Sequence, residues 1–258
     1  MINTHLVFET ININSAPCSL WATMAHLKII RAIYETLDQN TFCNIMLTGG
    51  HAAGRLYEVM RKSSSLPMSR MNFFWGDERC VPPSSIESNF GLAKSSIFDK
   101  SSDRANFIAR IKGEALNYDD EAKRYSLLLP EKIDILILGV GNDGHVASLF
   151  PGHPAVNEWS KLAVAIPPDE NRGPRISVTP KVIRDSKKIF VLAPGANKGA
   201  VLAKSLRAPK EYANLPARLT LGGYWLLDEE SVQDFLNQWE DLKKSYPHTR
   251  INLNGIII

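Results

Sequence analysis

Cysteine is scarce in this chain: Cys18, Cys43 and Cys80 are the whole complement, widely spaced, with no C-x-x-C. That argues against a disulfide framework and a cysteine-based zinc site. It suits a reduced, cytoplasmic setting. Cys43 reads as core and Cys80, beside a charged loop, as a bystander. Charge of one sign is also lacking, since 30 Lys+Arg against 27 Asp+Glu leave a formal +3. No electrostatic footprint for nucleic acid follows, and the densest basic cluster, Lys181 to Lys188, is broken by Asp185 and reads as solvated surface. No apolar run approaches the roughly 18 residues of a membrane span, and the first residues lack a basic stretch leading into an apolar one. No G-x-S-x-G supports a serine nucleophile and no H-E-x-x-H supports metal catalysis. Neither metal nor cofactor is expected. Nothing chooses between monomer and homodimer.

What is present is an ordinary globular composition, 44% hydrophobic and 22% charged over 258 residues, with alternating strand and helix patterns. Strands are predicted at Leu6-Val7-Phe8 (a short edge strand), Phe42 to Leu47, Asn72 to Trp75, Ile133 to Leu138, Leu162 to Ile166, Arg175 to Val178 and Lys188 to Ala193. Helices are predicted from Ser15–Pro17 through Tyr34, over 52–62, from about Ser88, over Tyr118 to Leu129, briefly after Thr179-Pro180, from Pro194-Gly195 through Leu206, and from an Asp228 cap to about Leu242. The alternation predicts an α/β fold, a mostly parallel sheet with helices on both faces. Residues 1–258 read as one domain, and the polar loop Pro167 to Pro174 as a candidate lid.

The run Ile133-Asp-Ile-Leu-Ile-Leu138 leads directly into Gly139-Val-Gly-Asn-Asp-Gly-His-Val-Ala-Ser-Leu-Phe-Pro-Gly152. A strand apolar on both faces is a buried parallel strand, and ligands in such sheets bind at strand carboxyl ends. Gly139, Gly141 and Gly144 match the dinucleotide fingerprint G-x-G-x-x-G. That reading fails, because Asp143 would face a pyrophosphate and Pro151-Gly152 leaves room for only about two helical turns.

Four strand-end loops carry candidate chemistry. Gly49-Gly50-His51 opens a helix, where backbone N–H groups and the helix dipole make an anion cradle or only a tight turn. Gly76-Asp77-Glu78-Arg79 offers a carboxylate for a sugar hydroxyl (Asp77) and a cation for an oxyanion (Arg79), or a surface ion cluster. Asp143-Gly144-His145 offers a histidine base oriented by a carboxylate, or a cap with a bonded histidine. Arg175 and Lys198 offer a fork and a point charge for phosphate. Lys198 stands in the first turn of a helix, where the dipole disfavours a cation, which an anion bound there would explain.

With these residues in hand, Phe74-Trp-Gly-Asp-Glu-Arg-Cys-Val-Pro82, Ser88-Asn89, Leu138 to Gly152, Arg175-Ile-Ser-Val-Thr179 and Gly195-Ala-Asn-Lys198 resemble the signatures of the 6-phosphogluconolactonase family. The likeness runs from about residue 18 to about 240. It implies a glucosamine-6-phosphate isomerase-like fold and metal-free hydrolysis of 6-phospho-D-glucono-1,5-lactone in the pentose phosphate pathway. The partner it implies is a phosphorylated sugar lactone. By resemblance His145 is the general base, with Asp143 in its motif. Asp77 and Arg79 lie near the lactone, and Arg175, Lys198 and Gly49-Gly50 hold the phosphate. The loop departs from the family's Gly-Gly-Ser-Thr-Pro: Gly49-Gly50-His51-Ala52-Ala53 lacks two hydroxyl donors, and His51 can replace one. Two rivals stay open, a glucosamine-6-phosphate deaminase-like enzyme, whose Phe-Asn-Glu-Pro is replaced here by Ser148-Leu-Phe-Pro151, and a non-catalytic sugar-phosphate binder. The segment 250–258 matches no family pattern.

Overall fold

The computed structural model describes residues 10–63, 65–98, 105–207 and 212–257. In chain order the elements are β1 (Thr10–Ala16), α1 (Trp21–Leu37), β2 (Cys43–Leu47), α2 (His51–Lys62), β3 (Met71–Trp75), β4 (Asp77–Arg79), α3 (Asn89–Ser96), β5 (Phe107–Ile108), α4 (Tyr118–Leu128) and β6 (Ile135–Gly139). They continue with β7 (Ala163–Ile166), β8 (Arg175–Val178), α5 (Pro180–Asp185), β9 (Lys188–Ala193), α6 (Lys198–Arg207), β10 (Tyr224–Asp228), α7 (Glu229–Ser245), β11 (Arg250–Leu253) and β12 (Ile256–Ile257).

A nine-stranded sheet runs β12-β11-β1-β10-β9-β6-β2-β3-β5, and all its pairings are parallel except β11 with β12. The central strands β6, β9 and β2 are apolar and almost wholly buried, as expected of strands covered on both faces. From β2 the chain builds outward to β3, whereas from β6 it builds the other way to β9 and β10. The switch point therefore falls between β2 and β6, and the crevice outside their carboxyl ends is where such sheets bind ligands.

Two buried tyrosines fix the ends of β2 and β3. Tyr57 on α2 accepts from Thr48 N (3.1 Å) and donates to Thr48 O (2.6 Å). Tyr125 on α4 does the same to Trp75, accepting at 2.8 Å and donating at 2.7 Å. Each hydroxyl satisfies a backbone group where its strand stops pairing, so the following loop starts from a set position.

The predicted α/β architecture is present, with several differences in detail. The expected edge strand at Leu6 to Phe8 lies outside the described residues. The helix expected from residues 15–17 begins at Trp21, because 10–16 form β1. Polar Asn12, Asn14 and Ser15 hide that strand, yet it is flanked by β10 and β11. The unmatched 250–258 segment supplies β11 and β12, and β10 also lacked a clear signal. Asp77 to Arg79 is a strand rather than a loop, and with β8 and β7 it forms a separate antiparallel sheet, β4-β8-β7. Thr179 does not cap α5 with its side chain; its hydroxyl donates to Lys161 O at 2.7 Å.

The two helical turns expected after Gly144 are absent: 145–152 is a run of turns with isolated bridges Val140–Val146 and Val146–Leu149. There is thus no helix N-terminus to receive a pyrophosphate, and the dinucleotide reading loses its physical basis. The glycines there serve packing. A Cβ on Gly141 would fall 2.1 Å from His145 Nδ1 and 2.5 Å from Asp143 Oδ1, and one on Gly144, at φ +86°, 2.2 Å from Leu215 Cδ1.

Candidate active site

A cavity of about 490 Å³ opens at the switch point. The loops after β2 and β6, the strand pair β4–β8 and the start of α6 enclose it. Every residue singled out as a candidate lines it (Gly49, Gly50, His51, Asp77, Arg79, His145, Arg175 and Lys198) except Asp143. Asp143 stands behind His145, with its Oδ1 2.6 Å from the ring Nδ1 and 3.1 Å from the His145 amide. A carboxylate only accepts, so Nδ1 carries a proton and donates to Asp143, and in the neutral imidazole Nε2 keeps its lone pair. The two side chains keep 34% and 48% of their exposure, so the imidazole is reachable by water. Partial burial works to raise the Asp143 carboxyl, but the charge of His145 and the two hydrogen bonds outweigh it and leave the group below the ordinary carboxylate range.

The ring of His145 packs on Phe150 at 4.9 Å between centroids. Over that phenyl ring lies Arg172, at 3.7 Å, with Arg175 at 5.9 Å. Arg172 comes from the loop predicted as a lid. It bonds Asp169 at 2.8 Å and approaches Asp143 Oδ2 to 4.0 Å. The lid loop is therefore anchored at the rim of the dyad by a cation on an aromatic face.

Asp77 is 6% exposed. Its Oδ2 accepts from Ser148 Oγ at 2.7 Å and its Oδ1 from Asn89 Nδ2 at 3.2 Å. Glu78, the next residue, points away from the cavity into the start of α3, accepting from Ser88 Oγ, Asn89 N and Phe90 N at 3.0, 2.7 and 2.8 Å. Burial pushes the Glu78 carboxyl up, against the pull of those backbone donors. The Gly-Asp-Glu-Arg segment is thus neither of its two expected forms as a unit. Asp77 and Arg79 face the cavity, while Glu78 seats the segment that delivers Asn89.

Arg79 and Arg175 are directly opposed in the β4–β8 register. Both Nε atoms are buried without a hydrogen-bond partner, although Arg79 Nη1 donates to Glu87 O. Burial lowers the Arg175 pKa, Asp77 works against this, and Arg79 adds to it. Opposed cations repel, so this pair is held by the fold in a form that an anion would relieve.

The two glycines of the first loop have different causes. A Cβ on Gly49 would sit 1.7 Å from Asn89 Oδ1, whereas Gly50 has open space but a φ of +89°. Gly50 is the N-cap of α2, with no side-chain cap and no acid in the first turn. The first N–H groups of α2 are therefore available to an anion. Lys198 differs from expectation in what holds it. Its ammonium donates to Val140 O (2.8 Å) and Asn142 Oδ1 (2.6 Å), so its place at a helix start needs no anion to account for it. Burial lowers its pKa and Asp143 partly restores it.

The sequence reading missed Ser148, Arg172 and Arg55, and it gave Asn89 no role. Arg55, one turn after His51 on α2, lines the cavity, donates to Cys18 O at 2.7 Å and lies over the Trp21 ring at 4.9 Å. Its spacing from His51 was a usable signal; the other three become neighbours only through the β4–β8 pairing and the turns at 145–152.

Among the described residues, no group of three or more His, Cys, Asp or Glu is placed to hold a metal ion, and no helix is long and apolar enough to cross a membrane. A sequence model for Glucosamine-6-phosphate isomerases/6-phosphogluconolactonase matches residues 19–224. The chain is 35% identical over 213 residues to 6-phosphogluconolactonase of Haemophilus influenzae, covering 78% of this chain and 90% of that one. It is 30% identical over 240 residues to the Streptomyces coelicolor 6-phosphogluconolactonase, with 83% and 90% covered. The solved structure of 6-phosphogluconolactonase from Trypanosoma brucei superimposes with a TM-score of 0.74 at 24% identity, over 87% of this chain and 98% of that one.

Proposed function

The chain belongs to the glucosamine-6-phosphate isomerase/6-phosphogluconolactonase family, and we propose that it hydrolyses 6-phospho-D-glucono-1,5-lactone to 6-phospho-D-gluconate. The observation that carries this reading is the Asp143–His145 pair at 2.6 Å, on the wall of a cavity that also presents Arg79, Arg175 and Lys198. The 6-phosphate is assigned to the first N–H groups of α2 with Arg175 and Lys198, and Asp77 to a sugar hydroxyl.

With the phosphate anchored, C1 of the lactone lies beside His145. Nε2 takes a proton from water as its oxygen bonds to C1, and Asp143 steadies the imidazolium through Nδ1–H. Arg79 stabilises the oxyanion. The C1–ring oxygen bond then breaks, the ring oxygen takes the proton back from Nε2, and the new carboxylic acid ionises to solvent. Positioned proton transfer is worth about 10²–10⁴-fold. His145→Ala is therefore expected to lose kcat by that order with KM little changed, measured above spontaneous lactone hydrolysis. A wild-type kcat in that variant refutes the base assignment.

The deaminase-like reading requires ammonia release from glucosamine 6-phosphate, and a pure binder requires no turnover above background. The lactonase reading is favoured by the names of the relatives and by a histidine that lines the cavity with its Nδ1 held by Asp143. The three free cysteines fit the cytoplasmic residence assigned with it.

A further inference from the structure

The nine-stranded sheet carries a second concavity, of about 270 Å³, between α1 and the strands β11, β1, β10 and β9. It lies toward the beginnings of β9 and β10, at Lys188, Phe190 and Tyr224, whereas the first cavity takes in Leu192 and Asp228 at their other ends. In the sheet, Asn252 is in register with Asn12, Asn12 with Tyr224, and Tyr224 with Phe190. One row of side chains thus crosses four strands on a single face. The Tyr224 ring stacks on Phe190, centroids 5.4 Å apart and planes 23° apart, and remains 38% exposed. Helix α1 adds Lys28, Arg31 and Glu35 along one stripe.

Three features are unexplained by packing alone. The face of a parallel strand beneath a helix is ordinarily apolar, and Ile11 and Ile13 obey this on one side of β1; Asn12 and Asn14 break it on the other. Asn14 is only 8% exposed and lines the concavity, and its carboxamide makes no hydrogen bond among the described residues, so its donor and acceptor are open to a ligand there. Two of the three cations here share one carboxylate: Glu35 accepts from Arg31 at 2.9 Å and Lys188 at 2.5 Å, which leaves Lys28 without a carboxylate among the described residues. β1 and β11 also lie outside residues 19–224, so much of this concavity is built by segments beyond the family match.

We propose that this concavity is a binding site for a nucleoside monophosphate. A planar base fits the free face of Tyr224. The unbonded carboxamide of Asn14 presents a donor and an acceptor, the pattern that pairs with the edge of a base, while Asn12 Oδ1 beside it accepts from Asn252 Nδ2 at 3.0 Å and keeps its own amide N–H groups to donate. Lys28 and Arg31 supply charge for one phosphate. The volume of about 270 Å³ lies near the lower end of the roughly 300–1,000 Å³ of common small-molecule sites, which suits one nucleotide.

The test is calorimetric titration of the whole protein with 5′-AMP, GMP, CMP and UMP, beside adenosine and inorganic phosphate. Saturable binding of at least one nucleotide is expected, stronger than that of adenosine or phosphate. Lys28→Ala and Asn14→Ala should each weaken it by about tenfold, the worth of a lost charge-assisted or buried hydrogen bond. Excess 6-phosphogluconate should not displace the nucleotide, and Lys28→Ala should hydrolyse lactone as the wild type does. Lys28 is exposed, so that variant keeps the test sharp even if Asn14→Ala folds poorly. No saturable nucleotide binding, binding indifferent to Lys28→Ala, or displacement by 6-phosphogluconate would each overturn the proposal. Failure here leaves the lactonase reading untouched, since that rests on the other cavity.

Discussion

Gly141→Ala separates catalysis from folding in a single methyl group. The added Cβ would stand 2.1 Å from His145 Nδ1 and 2.5 Å from Asp143 Oδ1, well inside van der Waals contact. What it meets are side-chain atoms, and Gly141 does not have a left-handed backbone. The chain can therefore accept alanine by swinging the imidazole and carboxylate aside. Replacing a glycine where the backbone permits it stabilises by about 0.4–1 kcal/mol through the unfolded state. Loss of the partly exposed dyad bond offsets this by a similar amount, because a solvent-screened pair contributes about 1 kcal/mol at most. The expected melting temperature is within a few degrees of wild type, by the usual scaling for a domain of this size. The expected kcat for lactone hydrolysis falls by about 10²–10⁴, the worth of a positioned base, with KM nearly unchanged because the phosphate ligands are not moved. Initial rates of acid release, corrected for spontaneous opening, measure it. A folded Gly141→Ala protein with wild-type kcat would show that the His145–Asp143 geometry is not what drives the reaction. Gly144→Ala makes the contrast: its φ of +86° and the Leu215 contact predict lost stability as well as lost rate.

Arg175→Ala and Lys198→Ala should raise KM for the phosphorylated lactone and leave unphosphorylated gluconolactone little affected; equal effects on both would remove phosphate binding from these residues. Tyr125→Phe strips two hydrogen bonds from Trp75 at the end of β3 and should destabilise by about 1–3 kcal/mol, the cost of buried groups left unpaired, read by denaturant unfolding. Asp143 has a folded pKa below its unfolded value, so the stability it contributes is present above the unfolded carboxylate value and lost as pH falls through the folded one. The melting-temperature gap between wild type and Asp143→Asn should accordingly close below about pH 4; a gap that persists there contradicts the depressed value.

Legibility followed the reach of each signal. β6 and β9 announced themselves because strands buried on both faces must be apolar throughout, and the Asp228 cap did so because its acceptor serves Ser231 N three residues on, at 3.0 Å. β1 was hidden because its polar face lines a concavity beneath α1 instead of packing against an apolar helix face. β4 was hidden because its partner β8 lies almost a hundred residues away, and three consecutive polar residues carry no local β signal. Glu78 looked like site chemistry by composition, but a carboxylate meeting three donors at 88–90 is a structural anchor, visible only once α3 is placed.

The sequence alone determined the parallel α/β class and the strand-end residues that line the cavity, because each depends on periodicity or on neighbours a few positions apart. Tertiary structure alone decided that Arg79 opposes Arg175, that Lys198 leans on the turn at 140–142, and that Asn14 lines a second concavity with its carboxamide unbonded. Those are relations between segments that the chain brings together only after paying the entropy of folding, and no local pattern encodes them.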